Sequence, residues 1–409
     1  MVSAWVRATW DETMPLRRWW DALADAGYAF PTWPEGLGGC GATRREAHTI
    51  AAALAAAGVI GPPDGNGPNM GAPTVLSHGT DAQQRRFVRP VAAGAQAWCQ
   101  LFSEPGAGSD LAGLTTRAVR DGDEFVITGQ KVWSSFAQGS DHGMLLARTN
   151  PDVAKHRGLS WMMIEMDQPG VDVRPLVQMN GAAEFCEVFL DGARARVADV
   201  IGGIDEGWTV AKTTLSHERA AVTARRDRGL VTMPAGPLAG NLDRPVGELL
   251  AARRSRPKPS RRRGEVLLGS RTIIELARDR GLARHPVLRR QLADYHIHSE
   301  VYRLTNQRVR DNAKQGRVGP EASIGKLALA MLAHRSRDLS MALLGAEGML
   351  VGPGTTQDGR IQQVALSSHV PSIGGGTNEI QRNIIGERAL GLPREPSVDD
   401  DVPFRDLRR

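Results

Sequence analysis

The hydrophobic period changes twice along this chain, and this restricts the folds that it can adopt. Residues 1–97 are rich in alanine and place apolar residues at helical spacing, as at Leu16 and Leu23. Residues 98–204 contain short β-type runs with turns between them, and helical spacing returns over 205–395. Helices, strands and helices in separate blocks predict an α+β fold with segregated layers.

This pattern divides the chain into domains. Within the first block, Thr43 followed by Glu46 predicts a capping box that opens a helix. The strand spacing in the second block predicts a small antiparallel barrel or sandwich. We therefore expect four segments: an N-terminal α-helical domain over 1–97, a middle β domain over 98–204, a C-terminal helical domain over 205–395 and a tail over 396–409.

A basic segment interrupts the third block. The net charge of +6 depends on the run at 253–263, which holds seven positive residues and no acid. A proline-interrupted charge run cannot pack a core, so we predict a mobile insertion at about 226–265. No aromatic residue interleaves the basic run, so we do not expect a nucleic-acid partner.

Composition excludes several protein classes. The chain has 409 residues, of which 41% are hydrophobic, and no apolar run of 18, so we expect neither general disorder nor a membrane partner. The N-terminus lacks the features of a signal peptide, and Cys40, Cys99 and Cys186 form no CxxC pair. His296 and His298 lie two apart on a predicted helix and so face apart. We expect a reduced, cytoplasmic enzyme without a metal site.

The segment EPGAGSDLAG at 104–113 is the densest local signal. Its glycines let the backbone turn sharply and approach a ligand closely. A dinucleotide fingerprint would need a third glycine at position 111, which is Leu111, and no βαβ unit precedes the segment. By chemistry alone it is a polar turn that either clamps a ligand or is a plain loop.

Three motifs together resemble the signatures of the acyl-CoA dehydrogenase family. They are LFSEPGAGSD at 101–110, GQKVWSS at 129–135 and GGTNEIQR at 375–382. Their order and separation also match the family, and the resemblance covers nearly the whole chain apart from the insertion. It implies an N-terminal helical domain, a small β domain, a C-terminal four-helix bundle, and FAD bound between the β domain and the bundle. The family usually forms a homotetramer, so we expect a homotetramer or homodimer, with a heteromer as the alternative.

The resemblance also implies roles for individual residues. The isoalloxazine of FAD is a flat apolar plate with polar edges, which requires an aromatic or backbone wall and a few donors. Ser109 matches a contact with the phosphopantetheine of acyl-CoA, and Arg219 matches a family arginine beside the substrate. The positions that match FAD-binding residues are Phe102, Ser103, Trp133, Ser135, Arg280, Thr377 and Glu379.

The catalytic base is where this sequence departs from most of the family. The family reaction removes an α-proton from the thioester while the β-hydrogen leaves as hydride to the flavin. Most members carry the base as a Glu in a C-terminal loop, but Gly375 stands at that position here. Glu218, in the stretch LSHERA at 215–220, matches the branch that includes isovaleryl-CoA dehydrogenase, which keeps the base on a helix. The alternative is an exposed helix carboxylate paired with Arg225 or Arg226.

The sequence therefore predicts an FAD-dependent acyl-CoA dehydrogenase, with an electron-transfer flavoprotein as electron acceptor. Two alternatives stay open. The loss of the acid at Gly375 and the basic insertion also suit a non-catalytic subunit of a heteromeric dehydrogenase. A flavin oxidase of the same fold is the second alternative. The acyl group is not fixed, although Gly374, Gly375 and Gly376 could leave room for a branched or bulky chain.

Overall fold

The computed structural model describes residues 1–224, 230–255, 265–315, 319, 321–396, 399 and 401–407, without the side chains of 220–224, 313 and 314. The chain forms two compact units. The first unit holds Met1–Val177, Ala183–Arg256 and Ser397–Arg409, and the second holds Gln178–Ala182 and Pro257–Pro396. Helices and one sheet build the first unit, and helices build the second, so the α+β prediction is confirmed.

Five helices begin the first unit: α1 Val2–Thr9, α2 Leu16–Asp25, α3 Arg44–Ala57, α4 Ala72–His78 and α5 Asp81–Ala92. The predicted capping box is present at the start of α3, where Thr43 and Glu46 satisfy each other's backbone N–H groups. The apolar face of α2 is fully buried. Its Trp19 and Trp20 donate their indole N–H groups to the carbonyls of Ile60 and Gly61, so these buried rings keep no unpaired donor.

The β domain is one eight-stranded sheet. Its order is β6-β7-β3-β2-β4-β5-β8, with β1 also beside β4. Most neighbours are antiparallel, as the sequence predicts, but β4 pairs in parallel with both β1 and β2. The strands are β1 Trp98–Leu101, β2 Arg117–Asp121, β3 Glu124–Ser135, β4 His142–Arg148, β5 Leu159–Glu165, β6 Val171–Leu176, β7 Phe185–Arg196 and β8 Val200–Ile201.

The next two helices, α6 Gly207–Ala224 and α7 Val246–Ser255, also lie in the first unit. The sequence predicts that both segments belong to the C-terminal domain. Val210 and Ala211 of α6, and Leu249 and Leu250 of α7, join the same buried cluster as the N-terminal helices, which explains the difference.

Residues 230–255 lie within the predicted mobile insertion, but the structure binds them to the N-terminal helical region. Its backbone forms hydrogen bonds with that region. For example, the Leu16 N–H donates to the Arg244 carbonyl and the Gly61 N–H donates to the Val231 carbonyl. These long-range backbone bonds order a stretch that has no periodicity of its own. The rest of the predicted insertion lies outside the described residues, apart from its last residue, Glu265.

The predicted tail docks on the β domain in its described part, 401–407. Phe404 is buried, and its ring lies under the Arg148 guanidinium at 3.6 Å from the ring centroid. The Phe404 N–H also donates to the Val153 carbonyl. An aromatic ring and a guanidinium in this geometry attract each other, which supplies a reason for docking that no hydrophobic pattern reveals.

The second unit contains the remaining helices: α8 Ser270–Asp279, α9 Pro286–Lys314, α10 Glu321–Leu344, α11 Arg360–Ser367, α12 Val370–Ile373 and α13 Asn378–Ala389. Its buried cluster includes Ile273 of α8, Tyr295 of α9 and Leu339 of α10. Across the part of the chain that the structure describes, no helix combines the length and apolar content needed to cross a membrane.

A buried ion pair organises the segment after β1. Lys131 on β3 donates to Glu104 at 2.9 Å and to the Phe102 carbonyl at 3.0 Å. Glu104 also accepts from the backbone N–H groups of Thr115 and Thr116. Burial disfavours the charge on Glu104, but Lys131 and these donors outweigh it and lower its pKa to about 2. Burial lowers the pKa of Lys131 to about 8, so both groups are charged at neutral pH.

We expect Lys131→Met to lower the free energy of unfolding by about 3–5 kcal/mol, because it leaves a buried carboxylate without its counter-charge. Combining it with Glu104→Gln removes that charge, so the double variant should be the more stable of the two. Urea denaturation followed by circular dichroism measures both. Equal instability of the single and double variants would contradict an electrostatic cause.

Candidate active site

The loop after β1 supplies the first wall of the site. Phe102 is buried and its carbonyl is held by Lys131, while the Ser103 carbonyl accepts from the backbone N–H of Val132 on β3 at 2.9 Å. These two bonds fix the loop against β3 just before Trp133. Two separate predicted segments, 102–103 and 133–135, are therefore brought together in the first unit.

Trp133 has the geometry of a ligand-facing side chain. Its φ is +62°, in the left-handed region that a tryptophan rarely adopts, and 58% of the residue is exposed. The pairing of β3 with β7 shifts register between Lys131 and Ser134, which turns Trp133 out of the ladder. The Phe185 ring meets it edge to face at 5.8 Å.

This arrangement suits the isoalloxazine of FAD. Strain at a non-glycine residue persists only where the surroundings enforce it, and it is concentrated at functional sites. An exposed indole on a rigid strand offers a flat apolar face, and the half-buried Ser135 beside it offers a hydroxyl. The residues present at 102–103 and 133–135 thus fit an apolar plate with a polar edge.

Glu218 lies on α6, and its carboxylate is mostly removed from water. Burial raises the pKa of Glu218, while a hydrogen bond from Gln100 and the charge of Arg219 act in the opposite direction. Gln100 of β1 donates its side-chain N–H to Glu218 at 3.4 Å. Since Gln100 precedes Phe102 by two residues, β1 links the carboxylate to the loop.

Arg225 and Arg226, the alternative partners of Glu218, lie outside the described residues. The notion of a fully exposed helix carboxylate does not agree with the raised pKa of Glu218, because burial is its largest cause. Arg219 is itself exposed.

Contacts with α4 and β5 fix the position of α6. The hydroxyls of Thr74 and Thr214 lie 3.1 Å apart, and His78 bonds the Thr213 hydroxyl at 2.8 Å. At the start of α6, a Cβ on Gly207 would lie 2.4 Å from the backbone nitrogen of Trp161. Glycine is required there because the helix begins against the backbone of β5.

Ser109 stands apart from this group on an exposed loop. The next residue, Asp110, pairs with Lys155 at 3.1 Å and ties the loop to the β domain. The hydroxyl of Ser109 is therefore accessible on a tethered segment, which suits contact with a long ligand more than with a buried one.

In the second unit, Arg280 directly follows α8 and already has hydrogen-bond partners. Its guanidinium bonds Glu347 and the Thr356 hydroxyl. Bonds from Thr356 and from Arg280 lower the pKa of Glu347 to about 2, so the pair is ionised at neutral pH. Both bonds use Nη2, so the other N–H groups of the guanidinium could still meet a pyrophosphate.

Thr377 and Glu379 begin α13. The Thr377 hydroxyl caps the helix by accepting from the Ile380 N–H at 3.3 Å. Glu379 is exposed and pairs with Arg382. The N-terminus of α13 carries the positive end of a helix dipole, which favours negative groups.

The glycine loop before α13 is held by Lys326 of α10. Its ammonium donates to the carbonyls of Pro371 and Gly376. Gly375 has φ +69°, and a Cβ built there would lie 3.9 Å from Cε of Lys326. Gln381 donates to the Gly375 carbonyl at 3.1 Å.

Sequence reasoning missed Lys131, Gln100 and Lys326. A signal existed for Gln100, which is polar within the otherwise apolar β1. Within the described ranges, no group of three or more His, Cys, Asp or Glu side chains could hold a metal ion.

Comparison with known proteins assigns the chain to a family. The N-terminal, middle and C-terminal domains of acyl-CoA dehydrogenase match residues 2–95, 99–193 and 271–390. The acyl-CoA dehydrogenase IpdE1 of Mycobacterium tuberculosis is 36% identical over 93% of this chain and 88% of its own length.

Two solved structures also resemble it. The Tcur3481-Tcur3483 steroid ACAD is 27% identical with a TM-score of 0.68, covering 96% of each chain. The ChsE4-ChsE5 complex from M. tuberculosis is 29% identical with a TM-score of 0.65, covering 93% of this chain and 90% of the other. With its fold, its three domain matches and these relatives, the chain belongs to the acyl-CoA dehydrogenase family of FAD-dependent oxidoreductases.

Proposed function

We propose that this protein desaturates an acyl-CoA thioester between its α and β carbons, with Glu218 as the catalytic base. The observation that carries the proposal is the half-buried carboxylate of Glu218, with its raised pKa, bonded to the strand that leads into Phe102. The helix position also matches the branch of the family that includes isovaleryl-CoA dehydrogenase.

Glu218 removes the α-proton. A carboxylate with a raised pKa binds that proton more strongly, so burial improves the base as long as it stays ionised at the working pH. FAD, when bound, supplies the acceptor for the β-hydride. The loop fixed by Lys131 and the exposed face of Trp133 hold and orient the flat ring.

The remaining roles follow the family positions. Phe102, Ser103 and Ser135 join Trp133 in binding FAD within the first unit. Ser109 and Arg219 contact the substrate. In the second unit, the FAD-binding residues are Arg280, Thr377 and Glu379.

An electron-transfer flavoprotein would reoxidise the enzyme, which acts in the cytoplasm as a homotetramer or homodimer. A second candidate is supported by the names of the two solved relatives, which each join two components. On that alternative this chain is a non-catalytic subunit of a heteromeric dehydrogenase.

Glu218→Gln should abolish bleaching of the flavin spectrum by acyl-CoA and leave bound FAD unchanged, because the amide cannot accept the proton. In the unmodified enzyme, bleaching should accelerate as pH rises through the raised pKa of Glu218, since only the carboxylate form is a base. Anaerobic stopped-flow absorbance measures both.

The matched control is Glu206→Gln, an identical change at an exposed position just before α6. It should bleach normally. Full activity of Glu218→Gln would overturn the base, and inactivity of the homomer toward every acyl-CoA would favour the non-catalytic subunit. Peroxide release in air at the rate of turnover would instead favour an oxidase.

A carboxylate returned to the usual family position should not rescue the reaction. We expect Glu218→Gln/Gly375→Glu to bleach no faster than Glu218→Gln alone. The φ of +69° costs a non-glycine residue about 1–2 kcal/mol. The adjacent ammonium of Lys326 would also pair with the new carboxylate and weaken it as a base. Rescue beyond about tenfold in the same assay would contradict this.

We propose a bulky, steroid-type acyl group as the substrate class. The name of one solved relative, a steroid ACAD, supports this, as does the absence, among the described residues, of any contact closer than 3.5 Å to a Cβ built on Gly374 or Gly375. Gly374 has φ −65°, so a side chain can be added there without backbone strain.

A steroid-carboxylic acyl-CoA should therefore bleach the flavin at lower concentration than butyryl-CoA or palmitoyl-CoA. Gly374→Leu should raise KM for the steroid thioester about tenfold or more and change KM for butyryl-CoA little, because the added side chain fills the space. Steady-state kinetics with a dye acceptor tests the pair. Equal effects on both substrates would contradict the assignment.

A further inference from the structure

Gln100 occupies an unusual place in β1. The strand reads Trp-Cys-Gln-Leu, and its side chains alternate between the two faces of the sheet. Trp98 and Phe102 join the buried cluster on the helical side, whereas Cys99 and Leu101 join the cluster inside the β domain. Gln100 lies between Trp98 and Phe102, so its amide points toward the helical side.

Among the described residues, the amide donates there to the carboxylate of Glu218 at 3.4 Å. A half-buried amide in apolar surroundings is costly unless it forms hydrogen bonds. An apolar residue would suit this position of β1 better if packing alone mattered. The polar side chain is therefore explained by the carboxylate that it faces.

Within the described residues, the other ionisable groups near Glu218 differ from Gln100 in their position or charge. Arg219 is exposed and acts on Glu218 through its charge. His217 is half-buried, and burial together with His78 of α4 lowers its pKa, so it is neutral at pH 7. On β5 the ionisable residue is Glu165, which is exposed at the end of the strand.

Two further elements near Glu218, β1 and a short π-helix, contribute no charged side chain. Burial raises the pKa of the Cys99 thiol on β1 to about 12. The short π-helix Gly67–Gly71, which also packs near α6, has no ionisable side chain. Gln100 is thus the neutral donor that faces Glu218 from the sheet.

We propose that Gln100 is a positioning residue, whose amide holds the carboxylate of Glu218 in place and stabilises its charged form. This inference rests on the proposed role of Glu218 and adds a group that tunes it. A donated hydrogen bond favours the carboxylate over the acid. Gln100 therefore limits the effect of burial, so that Glu218 is a strong base that still ionises at the working pH.

The test is Gln100→Met, which keeps the length of the side chain and removes both donors. Difference infrared spectra of the holoenzyme without substrate, titrated with pH, follow the acid form of Glu218. Subtracting the spectra of Glu218→Gln assigns the signal. We expect the titration to move to higher pH, because the charged form loses its hydrogen bond.

Bleaching kinetics provide the second readout, with the acyl-CoA that bleaches the unmodified enzyme best in the substrate panel above. Gln100→Met should slow bleaching about tenfold at acidic pH and recover toward the normal rate at alkaline pH. The matched control is Gln130→Met, because Gln130 also donates to a glutamate, Glu187, at 3.2 Å. The control should leave both titrations unchanged.

The outcomes separate the two proposals. An unmoved infrared titration in Gln100→Met would overturn the tuning role even if Glu218→Gln is inactive. A uniform loss of rate at all pH values, with loss of bound FAD, would assign Gln100 a structural role and also overturn it. Normal bleaching by Glu218→Gln would instead refute the proposed base, whatever Gln100→Met shows.

Discussion

The site depends on the buried ion pair between Lys131 and Glu104. One ammonium, fully removed from water, holds a carboxylate and the Phe102 carbonyl together. Removing either partner would leave the other charge buried, so the pair forces the loop after β1 to lie against β3. The register shift that turns Trp133 outward begins at Lys131 itself. One interaction thus fixes both the loop wall and the aromatic wall of the proposed FAD site.

Sequence alone predicted the order of helices and strands, because their hydrophobic periods differ and each segment is long enough to show its own. It could not predict the packing of 230–255 or of Phe404. Residues 230–255 are ordered by backbone hydrogen bonds to residues far away in sequence, as in the bond from Leu16 to Arg244. The packing of Phe404 depends on one aromatic ring finding Arg148. Neither interaction leaves a local pattern in the sequence.

For the residues of the proposed site, the sequence predicts location better than physical state. Trp133 and Glu218 could be located because family motifs mark them. Their physical states could not, since exposure of Trp133 follows from a register shift and the raised pKa of Glu218 follows from burial. Gln100 is predictable only in part. Its polarity within β1 was visible, but its partner on α6 is 118 positions away and only the fold brings them together.

The two possible positions of the base differ in what surrounds them. At Gly375 the backbone is left-handed, and Lys326 would pair with an added carboxylate and make it a weaker base. At Glu218 burial acts in the other direction and strengthens the base. Glu218 also shares a compact unit with Phe102 and Trp133, and residues of α6 join Phe102 in one buried cluster. A base on α6 is therefore the arrangement that both local environments favour.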